Sequence, residues 1–473
     1  MTRTPARALL APLALLLLAL LLLALLPAPA VVAQPALAQP AVAEPGVAGA
    51  PPSSVLGRLW HAYADELLAP PAEAPAPAAE PVRRGLGSPL ASPPFPAAEY
   101  PGLFLGGPYA PTTGPLMQAL AGTAAGGLLE QNRISAYGWL SGAVNGSSSG
   151  RVNAPLGYDW RANRAELNQA LLRLERLPDA AQTDHVDWGF RLDGLYGLDY
   201  RYTTARGVLS DQLVRHNRAY GFDPFVFYAE VYLPQVAEGM TVRFGRFATL
   251  PDVESVTAPD NYLHSHSMLN TYDAYTQFGV LTTTRLNRNF SVNLGLSAGN
   301  DIMPGVAGAK PTLTGCLRAT TDSNDDSNQF CVSSLGNSRY AYGNVQNFIA
   351  NTWTHRFSDR LHTATELAYL WQTGVPGIGF AASKAAVNFL ALQVSEVGRL
   401  VLRNEVFDDR QGGQRTGVAS RYSTHTLGYG HALTSALVLR PEVRLDHAYD
   451  ARAYNGGRSH SQGTVLLNLI VRI

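Results

Sequence analysis

The stretch VDWGFRLDGLYGLDYRY, residues 186–202, decides the fold. Its residues alternate between two kinds along the chain. One kind is apolar (Val186, Trp188, Phe190, Leu192, Tyr196 and Leu198), and the other carries charge (Asp187, Arg191, Asp193, Asp199 and Arg201). A period of two predicts a β-strand with one apolar face and one wet face.

The same alternation recurs from about residue 133 to the C terminus. It predicts fourteen strands, near residues 134–144, 168–176, 186–202, 225–233, 241–247, 276–286, 290–298, 347–357, 361–371, 385–394, 399–406, 422–432, 437–446 and 463–473. Most of these segments have the length of about 9 to 11 residues with which a tilted strand crosses a bilayer. The final strand keeps its alternation up to Ile473.

The connections between these strands alternate in length. Loops of 23, 22, 28, 48, 13, 15 and 16 residues interleave with turns of 9, 7, 3, 3, 4 and 4 residues. A soluble β-sandwich also has alternating strands, but long loops at one end and short turns at the other are typical of outer-membrane barrels. We therefore expect an all-β fold, a transmembrane antiparallel up-and-down β-barrel of about fourteen strands within a range of twelve to sixteen.

The N-terminal part differs from the barrel region in composition. Residues 1–38 combine Arg3 and Arg7, an apolar run and small residues, which predicts a signal peptide; an uncleaved membrane anchor is the alternative. Residues 39–130 are rich in Pro and Ala and are expected to form a periplasmic extension, with a short helix near 53–68 that rests on the barrel or on peptidoglycan rather than forming a trimeric coiled coil. Residues 131–473 are expected to form the outer-membrane barrel.

Composition excludes several functional classes. The chain has 36 Lys plus Arg against 36 Asp plus Glu, so its charge balance does not favour nucleic-acid binding. Cys316 and Cys331 are its only cysteines, and no Cys/His cluster indicates a metal site. No apolar run of about 18 residues follows Leu26, which excludes a helical polytopic membrane protein.

Several long segments carry a resemblance. They are NRISAYGWLSG (132–142), a stretch from Leu167 to Thr204, another from Arg243 to Asn287, HTATELAYLWQ (362–372), a stretch from Leu402 to His431, and LVLRPEVRLDHAYDARAY (437–454). Together they resemble the β-barrel porin-2 family of Gram-negative outer membranes. The resemblance implies an outer-membrane barrel with porin activity and implies no catalytic residue.

The wet face of the strands supplies the candidate site. Arginines facing lipid near the membrane midplane would cost about 2 to 4 kcal/mol each, so the charged residues are expected to point into the lumen. The predicted pore-lining residues are Arg173, Arg191, Arg201, Arg243, Arg399, Arg403, Arg440 and Arg444 with Glu175, Asp187, Asp193, Asp199, Glu230, Glu366, Glu405, Glu442 and Asp446. The near balance of the two signs predicts weak ion selectivity.

The longer connections raise further expectations. The 48-residue connection, residues 299–346, is predicted to be an outside loop closed by a Cys316–Cys331 disulfide, and its TDSNDDSNQ segment is interpreted as a polar loop tip rather than as an incomplete calcium loop. His264 and His266 would share a face of an extended segment, but no third ligand stands nearby in sequence. The 28-residue connection that contains them is expected to fold inward and constrict the lumen.

The sequence therefore predicts an outer-membrane, porin-like channel in a Gram-negative bacterium that lets small hydrophilic solutes diffuse passively. Its partners would be outer-membrane lipid and the solutes themselves, with a homotrimer as a further expectation. The sequence indicates no nucleophile or acid/base constellation, and neither an enzymatic activity nor a cofactor is expected. The alternative is a non-conducting structural or surface-interaction barrel that acts through its long loops.

Overall fold

The computed structural model describes residues 54–68, 114–250, 253–334, 347–411, 413 and 415–473. In this part of the chain, sixteen antiparallel strands pair with their sequence neighbours, and the last strand pairs with the first to close a barrel. The strands are β1 (Ser135–Ser147), β2 (Ala165–Arg176), β3 (Asp187–Gly197), β4 (Gly221–Leu233), β5 (Met240–Ala248), β6 (Thr276–Arg285), β7 (Phe290–Asn300), β8 (Thr312–Thr320), β9 (Asp326–Ser334), β10 (Asn347–Arg356), β11 (Leu361–Val375), β12 (Gly379–Gln393), β13 (Gly398–Asp408), β14 (Arg421–Ala432), β15 (Leu437–Ala448) and β16 (Ser461–Arg472).

The strand count lies within the predicted range but exceeds the central prediction of fourteen by two. The extra pair, β8 and β9, lies in residues 299–346, which the sequence assigned to one long outside loop. That assignment was wrong because the outward face of β9 offers only Phe330 and Val332 as apolar residues, and the acidic turn between the two strands has the composition of a loop tip.

Two other boundaries differ from the prediction. The strand predicted to reach residue 202 ends at Gly197, whose φ of 147° interrupts the extended chain, and residues 200–203 form a helical turn instead. The strands β11 and β12 are longer than predicted, so the connection between them shrinks to residues 376–378. This connection is shorter than several of the turns, against the expected contrast.

Apart from that hairpin, the two ends of the barrel carry connections of different length. One end, the turn end, carries residues 177–186, 234–239, 286–289, 321–325, 357–360, 394–397 and 433–436. The opposite end, the loop end, carries residues 148–164, 198–220, 249–275, 301–311, 376–378, 409–420 and 449–460, and residues 335–346, between β9 and β10, lie outside the described residues. The first strand begins and the last strand ends at the turn end.

The barrel reverses the polarity of a soluble protein. Outward side chains are apolar and exposed, as at Leu172 (57%) and Phe244 (59%). Inward side chains include many charged groups. One of these, Arg173, has no exposed surface. This arrangement suits a barrel with lipid-like surroundings outside and a polar interior.

In the described part of the chain, three helices precede the first strand. They are α1 (Val55–Leu68), α2 (Pro115–Leu120) and α3 (Ala124–Gln131). The Ser54 hydroxyl accepts a hydrogen bond from the Gly57 N–H at the start of α1 (3.1 Å), and α1 packs against α2. The predicted signal peptide and most of the Pro/Ala-rich segment lie outside the described residues. Within the described residues, no helix is long and apolar enough to cross a membrane.

Candidate functional site

The candidate site is built around one loop inside the barrel. This inserted loop, residues 249–275, connects β5 to β6 and contains a 3-10 turn at Ala258–Asp260 and the short helix Met268–Tyr272. It binds side chains of β13 and β15, which lie on the far side of the ring from its own strands; β13 is eight strands from β5. The inserted loop therefore folds inward, as predicted from the sequence, and it reaches across the whole lumen.

Three glutamates on the opposite wall accept hydrogen bonds from backbone N–H groups of the inserted loop. Glu405 accepts from Met268 N and Leu269 N, each at 2.8 Å, at the start of the short helix. Glu366 accepts from Val253 N at 3.0 Å. The third, Glu442, binds the N–H groups of His264 and Ser265 and the Ser265 hydroxyl. Charge-assisted hydrogen bonds of this kind are about twice as strong as neutral ones, so they fix the path of the loop.

Arginines on the same wall bind the carbonyl groups of the inserted loop. Arg440 donates to the carbonyl oxygens of Ala258 (3.0 Å) and Asn261 (2.7 Å). Arg444 donates to His266 O. The wall glutamates thus bind backbone N–H groups of the inserted loop, and the wall arginines bind its carbonyl groups. Buried backbone groups need such hydrogen-bond partners.

Arg403 binds a side-chain carboxylate of the inserted loop. Its Nη1 lies 2.8 Å from Oε1 of Glu254, and the arginine has no exposed surface. Its other guanidinium nitrogen donates to the hydroxyls of Ser265 (3.1 Å) and Thr426 (3.2 Å). This ion pair ties the loop to β13 and β14.

A bulge on β2 gives the loop a contact on the other side of the barrel. The β1–β2 register shifts next to Asn168, so Asn168 and Gln169 are both buried. The Gln169 amide donates to Val256 O (2.7 Å) and accepts from Ala258 N (3.0 Å). It also donates to the Asp199 carboxylate at 2.9 Å.

Apolar side chains complete the packing. Residues of the inserted loop and of the inner wall belong to one buried apolar cluster, which includes Val253, Val256, Leu263, Met268 and Leu269 of the loop with Trp139, Leu171, Ala364, Val387, Phe389, Val401 and Phe407 of the wall. The inserted loop is therefore held against the barrel wall by apolar packing as well as by polar contacts.

The wall nearest the loop's own strands carries ion pairs between neighbouring strands. Arg173 binds Asp193 on β3 at 2.6 Å, and Arg191 binds Glu175 on β2 at 2.8 Å. On β4 and β5, Glu230 binds Arg243 at 3.0 Å. We call these three ion pairs, Arg173–Asp193, Arg191–Glu175 and Arg243–Glu230, the ladder. All six residues were predicted to line the pore, and each one contacts a residue of opposite charge.

The structure thus divides the predicted pore-lining residues into two groups, one paired across strands and one that holds the inserted loop. Five others, Asp187, Asp199, Arg201, Arg399 and Asp446, have different surroundings. Asp187 binds Arg176 at the turn end (3.0 Å), Asp446 binds Arg444 (2.8 Å), and the Arg399 guanidinium lies 4.8 Å from the Tyr262 ring of the inserted loop. Arg201 does not line a strand, because the chain has left the sheet there.

Arg201 and Asp199 were both predicted to point inward from a strand, but neither residue lies in one. Both follow the end of β3 at Gly197. Asp199 is nevertheless buried inside the barrel against Gln169, whereas Arg201 is half-exposed and binds Arg218 O at 2.7 Å. The alternation that placed both inward continued into a segment with no strand.

Several inward groups were not predicted from the sequence. They are Glu166 and Gln169 on β2, Asp223 and Arg246 on β4 and β5, Glu254 in the inserted loop, and Asp159 in the loop of residues 148–164. Glu166 and Asp223 stand near strand ends that were set too short, and a search for charges next to each predicted strand would have found them. Glu254 and Asp159 lie in loops, where period-two alternation gives no signal.

The loop of residues 148–164 locks onto the inserted loop. His264 Nε2 lies 2.8 Å from the Asp159 carboxylate, and His266 stacks on Tyr158 with ring centroids 3.6 Å apart. Burial lowers the pKa of His264, but the neighbouring Asp159 carboxylate outweighs this effect and raises that pKa above its usual value. For His266, burial dominates and lowers the pKa to about 4. The two histidines have different partners, and within the described residues no group of three or more His, Cys, Asp or Glu is arranged to hold a metal ion.

Cys316 and Cys331 are joined by a disulfide, but not in an outside loop. They stand opposite each other on β8 and β9. The carboxylates of the TDSNDDSNQ segment bind different partners, since Asp322 accepts from Asn289 (2.9 Å) and Asp326 contacts His355 (2.6 Å). The segment forms a turn and the start of β9 rather than a loop tip.

Comparisons with known proteins agree with this architecture. A family model described as "Putative beta-barrel porin-2, OmpL-like" matches residues 133–473. No curated protein matches the chain.

One solved structure shares the fold at low sequence identity, and two others are similar to this chain with a lower score. The anion-selective porin from Comamonas acidovorans is 15% identical with a TM-score of 0.52, and the alignment covers 72% of this chain and 99% of that porin. OprB of Pseudomonas putida is 11% identical with a TM-score of 0.49, covering 74% of this chain and 96% of OprB. OmpF of Salmonella typhi is 10% identical with a TM-score of 0.49, covering 72% and 98%.

Proposed function

Because the chain belongs to the β-barrel porin-2 family, we propose that its barrel lets small hydrophilic solutes cross the outer membrane of a Gram-negative bacterium by passive diffusion. The inserted loop carries this proposal, since it crosses a closed sixteen-strand barrel and is held at both walls. A sixteen-strand barrel has a lumen wider than its own side chains fill, so a loop placed across it narrows the path and sets the size of solute that passes.

The channel is proposed to be weakly ion-selective. The lumen wall presents both signs of charge, and the ladder pairs Arg173, Arg191 and Arg243 with carboxylates at 2.6 to 3.0 Å. A paired charge produces a weak field a few ångströms away, so the wall favours neither anions nor cations strongly.

Single-channel recording of the refolded protein in a planar bilayer tests the channel. Stable conductance steps with a reversal potential near zero under a salt gradient are the expected result. As a matched test of the site, deletion of residues 258–264 from the inserted loop should raise the unit conductance. Folded protein that gives no steps in either form would overturn the proposal.

One observation favours a second candidate, a non-conducting barrel that acts through its long loops. The inward charges of Arg403 and Glu442 have no exposed surface even toward the lumen, because the inserted loop covers them. If the wild-type protein is silent and the loop-deleted protein conducts, the inserted loop is a plug and the second candidate replaces the first.

The proposal includes outer-membrane lipid as the surrounding partner and a homotrimer as the assembly. Exposed apolar side chains on the outward face, such as Leu294 (59%) and Leu313 (64%), suit contact with lipid or with a second copy. Chemical cross-linking in mild detergent tests the assembly, and a single monomer band would overturn the trimer. The proposed activity requires no catalytic residue and no cofactor.

A further inference from the structure

The loop end of the barrel carries an excess of arginine near one side of the ring. The two loops of residues 148–164 and 198–220, here called the rim loops, follow β1 and β3. They contain seven arginines and no lysine: Arg151, Arg161, Arg164, Arg201, Arg206, Arg215 and Arg218. Each of these arginines is exposed or half-exposed.

The acidic residues of the rim loops do not offset these charges. Asp159 and Asp199 are buried, at 3% and 2% exposure, and face inward to His264 and Gln169. Only Asp211 is exposed, and it pairs with Arg215 at 3.2 Å, while Arg161 pairs with the buried Glu166 at the start of β2. The surface of the rim loops is therefore strongly positive.

The other described connections at the loop end reinforce the excess. Their acidic residues Asp301 and Asp409 are buried, at 7% and 0% exposure. Their charged residues in all are Asp301, Asp409 and Asp450 against Lys310, Arg410, Arg415, Arg452 and Arg458. The inserted loop is acidic, but its described carboxylates are buried inside the barrel.

The turn end has the opposite charge. Its seven connections carry the acidic residues Asp179, Asp184, Glu238, Asp322, Asp325, Asp359 and Glu396 and the basic residues Arg288 and Arg360. The acidic side chains reach into solvent, as at Asp184 (79%) and Asp322 (76%). The barrel thus has a positive mouth at the loop end and a negative mouth at the turn end.

We propose that the arginines of the rim loops collect small anions at the loop end and, together with the acidic turn end, make the channel rectify. This inference rests on the proposed channel. Charges at a pore mouth raise the local concentration of the opposite ion within about one Debye length, roughly 10 Å at 0.1 M salt. The loop end therefore enriches anions, and the turn end enriches cations.

The direction of rectification follows from these two enriched populations. A voltage that drives anions inward from the loop end drives cations inward from the turn end, so both ions accumulate in the lumen and the current is large. The reverse voltage draws both ions out and depletes the lumen. The channel is thus proposed to favour anionic solutes that carry carboxylate, sulfate or phosphate groups when they enter from the loop end.

The test is a current–voltage curve from single channels in symmetric salt. The expected ratio of currents at opposite voltages is at least about two at 0.1 M KCl and approaches one at 1 M, where the Debye length is about 3 Å. Orientation is read from the same channels, since inorganic polyphosphate added to one chamber should block only at the loop end. The larger current must be the one that draws anions in from the chamber where polyphosphate blocks.

Variants assign the effect to the rim loops. The triple variant Arg151→Gln, Arg164→Gln and Arg218→Gln should lower the current ratio toward one and weaken the polyphosphate block. The matched control, Arg288→Gln with Arg360→Gln, makes the same substitution at the turn end and should keep or increase the ratio. Channels that conduct symmetrically at 0.1 M, or that rectify equally in the triple variant, would overturn this inference while leaving the channel itself intact; silent protein would overturn the channel instead.

Discussion

Replacing Arg403 by Met should release the inserted loop while the barrel stays closed. Arg403 is fully buried and bonds Glu254, Ser265 and Thr426, so its loss leaves the Glu254 carboxylate buried at 7% exposure without its cation. Removing one partner of a buried ion pair costs about 3 to 5 kcal/mol. That cost falls on the loop, because the hydrogen bonds between β13 and its neighbouring strands are made by the backbone.

A cost of this size would raise the fraction of molecules with an open loop by about two to three and a half orders of magnitude, since each 1.4 kcal/mol is roughly tenfold. Chymotrypsin digestion of the protein in detergent measures the opening. The inserted loop has no Lys or Arg for trypsin, but it offers Leu263 and Leu269, which are 2% and 1% exposed in the closed state. Faster cleavage between residues 262 and 272, with unchanged heat-modifiable gel migration, is the expected result.

Two control variants separate the loss of this ion pair from the general effect of replacing an arginine by methionine. Arg421→Met makes the same substitution on an exposed arginine whose ion pair with Asp450 is long, at 3.5 Å, and surface pairs contribute little to stability. It should leave cleavage unchanged. Adding Glu254→Gln to Arg403→Met removes the unpaired charge and should restore part of the resistance. The reasoning fails if Arg403→Met resists chymotrypsin as wild type does, or if the double variant is cleaved faster than the single one.

Two further predictions concern the contacts of the same loop. Gly428→Ala on β14 should loosen the inserted loop by about 1 to 3 kcal/mol because the added Cβ would lie 2.4 Å from Leu263 Cδ2. Adding Leu263→Ala should partly restore resistance to chymotrypsin, measured at Leu269 because the second substitution removes the Leu263 site; equal cleavage at Leu269 in the single and double variants would contradict this contact. Two buried groups should affect the pH dependence of the thermal unfolding midpoint in opposite directions. Burial lowers the pKa of His266 to about 4 and raises the pKa of Asp199 to about 6. Between pH 6.5 and 4 the unfolded chain binds the His266 proton first, which destabilises the fold on acidification, whereas the folded chain binds the Asp199 proton first, which stabilises it. Relative to wild type, Asp199→Asn should therefore lose more stability on acidification and His266→Gln should lose less, and parallel pH profiles for the three proteins would refute the assignment.

Much of the barrel could be predicted because period-two alternation has a strong physical cause. A strand with lipid-like surroundings on one face and a polar lumen on the other must separate its residues, and β3 and β15 do so over most of their length. The strands β8 and β9 were missed because their outward faces include Gly315 and Asn328, which carry little apolar signal. The alternation also continued past Gly197, where Tyr200 turns inward and is buried at 1% exposure.

In the candidate site, the ion pairs between neighbouring strands could be predicted from the sequence, whereas the contacts of the inserted loop could not. The ladder pairs were within reach, because in an antiparallel hairpin the numbers of opposite residues have a constant sum: Arg173 faces Asp193, and Glu175 faces Arg191 in the same register. A correct hairpin register would therefore have turned inward-facing charges into specific pairs, which stabilise the wall and add little to selectivity.

The anchors of the inserted loop follow no such rule. Glu366 meets a residue 113 positions earlier, and Glu442 meets one 178 positions earlier, so nothing local relates the partners. The wall residues do carry one indication. Arg403 and Glu405 on β13, and Arg440 and Glu442 on β15, have no charged residue paired with them in register on the adjacent strands. Inward charges that neighbouring strands leave unpaired must be satisfied from within the lumen, and the only long connection predicted to fold inward was the one that supplies their partners. Inward charges that lack a charged partner on the adjacent strands thus indicate where an inserted loop docks, even though they do not give its path.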